Sequence, residues 1–248
     1  MKKRIRKLEV TVLILVVLNI GLMFMSFTND SKQKFKEIDV ERINITEPGK
    51  KTPKMVISNA SRFPGQGVRS GGGGYSGMLF VNEDGYETGG LIFDGRKMKG
   101  GQKSNSGLTF DGYRQDQSIV LQHKEVKDSL TSYYEDGISI ISRPDFKDKN
   151  EEYTFYKQKK DGEFSKKVLD SLSLVLAHQN KIKNNRLYLG SKRGNKGKGW
   201  FDETGLYIKN KYGKDMIRIY VDVDNVPRFE VLDSLGKAIK YNLIPLNQ

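Results

Sequence analysis

Two hydrophobic patterns run along this chain. From Val10 to Phe27 the sequence reads VTVLILVVLNIGLMFMSF, with no charged residue. As a helix rising about 1.5 Å per residue, this run spans about 27 Å, close to the roughly 30 Å core of a bilayer. Beyond it, apolar and polar residues mostly alternate with period two, the signature of strands that present one apolar face. In DMIRIYVD (215–222), Ile217, Ile219 and Val221 share a face and Arg218 and Tyr220 share the other. Phe229 and Val231 repeat the pattern against Arg228 and Glu230. The alternation predicts a buried apolar face and a wet polar one.

Turn chemistry separates the strands. A strand beginning near Val40, the turn residues Glu47, Pro48 and Gly49, and the stretch Lys54–Ser58 read as a first hairpin. Asn82 to Gly85, Asn210 to Gly213, Asp222 to Asn225 and Asp233 to Gly236 place Asp or Asn first and Gly or Asn fourth, as short hairpin turns require. The last three begin at 210, 222 and 233, a spacing that predicts an antiparallel meander. A short unit also recurs: Gly77, Gly90, Gly107, Gly137 and Gly205 each precede large apolar residues at the second and fourth positions. We read these glycines as strand starts. The glycine-rich stretch from Arg62 to Ser76 reads as a loop, and no helix follows it to make a phosphate cradle. One segment departs from period two. Val168, Leu169, Leu172, Val175 and Leu176 lie at helical spacing within 165–184, which predicts one amphipathic helix docked on the β core. The charged stretch from Asp145 to Phe164 reads as a loop. The expected fold is mainly β: an N-terminal transmembrane helix, then antiparallel hairpins closing into a barrel, sandwich or propeller-like body with one inserted helix.

Charge orients the N-terminal segment. Lys2, Lys3, Arg4, Arg6 and Lys7 precede the apolar run and predict a cytoplasmic N-terminus. The run ends in bulky residues, Met23 to Phe27, with no small-residue cleavage pattern, so an uncleaved anchor is expected rather than a signal peptide. The expected organisation is a basic tail over 1–9, an anchor over 10–27, a juxtamembrane segment over 28–39 and an extracytoplasmic β domain over 40–248. Asn19 inside the run reads as a single tolerated amide.

Composition narrows the chemistry. The chain carries a net charge of +13, has no cysteine, and has only two histidines, His123 and His178. Disulfides, thiolate metal sites and cysteine nucleophiles are thereby excluded, and so is a zinc site built on several histidines. The remaining basic residues are scattered among acids and form no stripe, so nucleic acid is not an expected partner. Asp94, Asp111, Asp116, Asp136 and Asp145 supply carboxylates for a glycosidase pair, but read as turn formers. No G-x-S-x-G elbow accompanies the histidines. No catalytic, metal or cofactor residue is assigned. The densest polar cluster is Arg114, Gln115, Asp116 and Gln117 between two apolar strands, with Gln122 and His123 after the second. Such groups bind a sugar or peptide edge, or satisfy their own loop.

The stretches FKEIDVERINI, MVISN, GMLFVNEDGYETGGLIFDG, LTFDGYRQDQSIVLQH, ISRPD and DVDNVPRFEVLDSLGK together resemble a family of bacterial single-pass membrane proteins of uncharacterised activity. The resemblance covers most of the chain and is weakest between Phe146 and Asn185. It implies a topology and no chemistry. Asn225 stands where the family pattern has Gly, a change the turn accepts. The expectation is a membrane-anchored envelope protein, a non-catalytic binding or assembly module. It would be held by the lipid bilayer and would meet an envelope protein or glycan. An extracytoplasmic carbohydrate-active enzyme and a secreted lectin-like domain are the alternatives. Oligomeric state is open.

Overall fold

A computed structural model describes residues 2–27, 34–64, 75–145, 149–195, 199–233 and 236–241. The chain divides into two units, Met1–Val40 and Glu41–Gln248.

The first unit contains helix α1, Lys2–Phe27. The described side chains from Val10 to Met23 are exposed on every side of it. Asn19 satisfies itself within the helix, its amide Nδ2 donating to the Leu15 carbonyl at 2.8 Å. Among the described residues, no helix is long and apolar enough to cross a membrane.

The second unit is one antiparallel sheet in which every strand pairs with its sequence neighbours. Its strands are β1 (Arg42–Thr46), β2 (Pro53–Ser58), β3 (Ser76–Val81), β4 (Glu87–Met98), β5 (Gly101–Asp111) and β6 (Gln117–Lys127), followed by β7 (Ser132–Ser142), β8 (Asn184–Asn195), β9 (Trp200–Lys209), β10 (Asp215–Val221), β11 (Pro227–Leu232) and β12 (Ala238–Tyr241). Their order across the sheet is β1 to β12 without a crossover. The meander read from the last turns therefore runs through the whole domain. The described strands pair into one sheet, not the two of a sandwich or the several of a propeller, and no pairing joins β12 to β1 among the described residues.

The four Asx-type turns form as the sequence predicts. Gly85, Gly213, Gly236 and Asn225, the fourth residues of these turns, take positive φ. The side chains of Asn82, Asn210, Asp222 and Asp233 accept backbone N–H groups across their loops. The stretch 65–74, which falls in the glycine-rich loop of the sequence reading, lies outside the described residues.

Register aligns the apolar positions into two rows. Ile43, Ile57, Met78, Leu91, Leu108, Leu121, Ile138, Leu189, Leu206, Ile219 and Phe229 are successive cross-strand partners from β1 to β11. A parallel row two residues along runs from Ile45 through Phe80, Phe110, Ile119, Ile140 and Ile217 to Ile239. The alternation predicts this face to be buried, and it is the open one: Leu91, Phe110, Leu121, Leu189 and Ile219 are all exposed. No second layer rests on it among the described residues. The opposite, more polar face is the shielded one, with Val56, Leu79, Tyr188 and Glu230 buried.

The repeated glycines lie inside strands rather than at their starts, apart from Gly77 near the beginning of β3. Gly137 pairs with Gly190, and Gly190 with Gly205, on the shielded face. Their purpose is space. A Cβ on Gly137 would come within 2.8 Å of the Tyr188 ring, which lies across this glycine pair. The Tyr188 hydroxyl sits 3.1 Å from the carbonyls of Asp136 and Ser191.

Between β7 and β8 the chain forms two helices, not one. α2 (Lys149–Asp161) occupies the stretch that the sequence presents as a charged loop, and α3 (Lys166–His178) falls within the predicted helix. The apolar stripe of α3 docks on α2 rather than on the β core: Leu169, Leu172 and Leu176 pack on a cluster of Phe155, Ala177 and Ile182. Val168 and Val175 stay exposed. His178 stacks on Tyr212 of the β9–β10 turn at 3.7 Å between ring centres.

Candidate functional site

A polar cavity opens where the turns β1–β2, β3–β4 and β5–β6 come together. Its volume is about 330 Å³. Val56 and Leu79 form an apolar floor, and Pro53 and Pro64 flank it. Arg42 and Arg114 supply cationic wall groups, and Glu87, Asp111 and Asp116 supply carboxyls. The strands place these groups through irregular pairing. β-bulges follow Phe80 in β3 and Phe110 in β5, so Val81 pairs with Glu87 and Asp111 with Gln117 out of simple alternation.

Asp111 is the least satisfied group in the cavity. Its Oδ1 is buried and accepts no hydrogen bond. Burial, reinforced by the neighbouring charges of Glu87 and Asp116, pushes its carboxyl up to about 7, against the opposing pull of the Thr109 hydrogen bond and the Arg143 charge. At neutral pH the group therefore exists in both forms, one a hydrogen-bond donor and one a charged acceptor. That is a property of binding and of acid–base sites alike.

Arg114 adds a strained backbone. In the turn that closes with Gln115 N–H donating to the Gly112 carbonyl at 2.9 Å, Arg114 has φ 60°, a left-handed conformation that costs a residue with a Cβ about 1 kcal/mol or more. Its side chain holds it there. Nε and Nη2 donate to Asp84 Oδ2 at 2.9 and 2.5 Å, and the guanidinium lies 5.5 Å above the Tyr86 ring. The Tyr113 hydroxyl donates to the same oxygen at 2.8 Å. These bonds, Tyr113 first and Arg114 second, hold the Asp84 carboxyl below its ordinary range.

The polar cluster read from the sequence is divided by the fold. Arg114, Gln115 and Asp116 line the cavity. Gln115 is also structural, its Nε2 donating to the Pro144 carbonyl at 2.6 Å. Gln117 and Gln122 line a separate hollow of about 330 Å³ on the sheet, together with Arg143 and Lys183. His123 is on the open face, where Nδ1 meets Asp136 Oδ1 at 2.5 Å, cross-strand between β6 and β7.

Sequence reasoning misses the centre of the site. Asp111 reads as a turn former, although it ends a strand. Arg143 reads as a strand exit, yet its side chain is only 6% exposed. Its Nε donates to the Gln117 carbonyl at 2.7 Å, and its other nitrogens reach Asp116 at 3.5 Å and Glu152 of α2 at 3.8 Å. It thus ties the helical insertion to the wall of the cavity.

Among the described residues, no group of three or more His, Cys, Asp or Glu side chains is arranged to hold a metal ion. The chain matches no family model, no curated protein and no solved structure.

Proposed function

We propose that this chain is a membrane-anchored envelope module whose β domain binds a polar ligand, a glycan or a peptide edge, in the cavity at the β1–β6 turns, without catalysing a reaction on it. One observation carries the binding reading: Asp111 presents a buried, unpartnered oxygen in a cavity that also holds two arginines and an apolar floor. A buried acceptor left without a donor costs about 1–3 kcal/mol, and a ligand hydroxyl or amide N–H removes that cost. The anchor is supported by the uncharged run Val10–Phe27, the five basic residues before it and the exposed apolar surface of α1. The resemblance to bacterial single-pass membrane proteins supports the same topology.

Titration of the full chain with envelope glycan fragments and short peptides, followed by NMR shifts of the Leu79 and Val56 methyl groups, tests the binding reading. Shifts that vanish in Asp111→Leu are expected. Unmoved methyls across both libraries sink it. Cell fractionation tests the anchor: the full chain, intact at its first residue, in the soluble fraction overturns that part alone.

A second reading has its own support. Asp111 lies beside Glu87 and Asp116, and a carboxyl raised to about 7 beside further acids is the pattern of a glycosidase acid and its partner. Turnover of a glycan by the wild-type chain, abolished in Asp111→Asn and in Glu87→Gln, replaces the binding reading with a carbohydrate-active enzyme.

A further inference from the structure

We propose that the open apolar face of the sheet is an interface between two copies of this chain, packed face to face. The proposal is independent of the ligand cavity, which lies on the shielded face.

A sheet with one apolar face is stable when that face is covered. Here the buried apolar residues of the sheet, Val56, Leu79, Tyr188 and Leu232, are not members of the two apolar rows. None of the rows' hydrophobic side chains belongs to the fully buried core of the single chain, and many are exposed.

The size of the face suits a dimer. Twelve strands at about 4.8 Å spacing, carrying two rows about 7 Å apart, make a strip about 50 Å long and 14 Å wide. That is roughly 700 Å² on each copy, against about 800 Å² per partner in a stable protein interface. Its chemistry suits a dimer as well. The chain carries a net charge of +13, yet neither row contains a charged residue, so two copies meet there without placing like charges in contact. The next row on this face is a polar rim, with Ser106, His123, Asp136, Ser191 and Thr204 as successive partners. An apolar centre with a polar rim is the anatomy of a protein interface. A lipid surface selects a fringe of Lys and Arg. This rim instead carries the His123–Asp136 pair, with the Ser side chains on either side of it. Two-fold symmetry lets one such patch complement itself, and stacked sheets pack about 10 Å apart.

The absence of cysteine makes the test direct. Leu121→Cys and Ile138→Cys lie in the central strands of the first row; Arg96→Cys lies on the other face. Each is expressed singly in the full chain and treated in cells with a bismaleimide of about 10 Å reach. The expected result is a cross-linked species of twice the chain mass for Leu121→Cys and Ile138→Cys, and none for Arg96→Cys. Equal cross-linking of all three, or none, overturns the proposal. Adducts of another mass assign the face to a different protein and overturn it as well. So does quenching by brominated lipid, in place of cross-linking, of a fluorophore carried on the thiol of the Leu121→Cys variant, which assigns the face to lipid. Light scattering on Leu121→Arg gives a second readout: the mass halves while the far-ultraviolet circular dichroism of the sheet is kept. A dimeric Leu121→Arg also sinks the idea.

Discussion

Tyr188 and Leu189 are neighbours in β8, yet Tyr188 is 4% exposed and Leu189 is 48% exposed. They point to opposite faces of the same sheet, and the contrast holds along its length. The shielded face covers itself without a second layer. Tyr188 lies over Gly137 and Gly190, and Tyr207 and Tyr220 stack with ring centres 6.0 Å apart. Arg218 joins Asp215 at 3.0 Å and Glu230 at 3.2 Å. Long side chains laid flat across small ones exclude water from that face. The other face is built from Leu, Ile and Phe, which stand up from the strands and have no polar tip to fasten sideways. Such a surface is covered only by something else. Hydrophobicity alone therefore does not decide which face of a sheet is buried; the reach and anchoring of its side chains also do.

Substitutions on the two faces should separate accordingly. Tyr188→Ala is expected to cost about 3 kcal/mol in urea unfolding, because it empties the space above two glycines and removes the one hydroxyl donor that the Asp136 and Ser191 carbonyls share. A loss below about 1 kcal/mol would show that the ring covers little. Arg143→Met should follow at about 2 kcal/mol, since Glu152 and the Gln117 carbonyl lose a buried donor. Hydrogen exchange should then rise first in α2. Leu121→Ala on the open face should cost only about 1 kcal/mol in dilute single chains, because the side chain is already 49% exposed. A larger cost at high protein concentration would report cover by a second copy.

Asp111→Asn should give a change that depends on pH. The carboxyl titrates near 7 in the folded chain and near 3.8 when free, so the folded state binds the proton more tightly. Its contribution to stability is greatest at low pH and is lost as pH rises between those values. Wild type should therefore lose melting temperature relative to Asp111→Asn as pH goes from about 4 to 7. Parallel curves would show that burial does not perturb the group.

Local chemistry is legible in the sequence and cover is not. The turns at Asn82, Asn210, Asp222 and Asp233 follow from a side chain bonding its own backbone, a feature that needs no distant partner. The alternation that fills the two rows is equally plain. It specifies which residues share a face, not what lies on top, and it assigns the apolar face to a core that the chain does not make. α2 is hidden because Phe155 and Tyr156 are its main apolar groups in a charged stretch. Asp111 escapes notice because its burial arises from three turns meeting across separate hairpins. The left-handed Arg114 leaves no mark in residue type, being held by Asp84 from a turn thirty residues earlier.

The uncrossed order of the strands bears on how the polypeptide reaches its final form. Each hairpin lies against the one synthesised just before it, so the ladder can grow from its first rung as residues emerge, with few long loops to close and correspondingly quick acquisition of structure. The same order makes length adjustable: duplication or deletion of a whole hairpin would extend or shorten the ribbon without disturbing the pairing of the remainder.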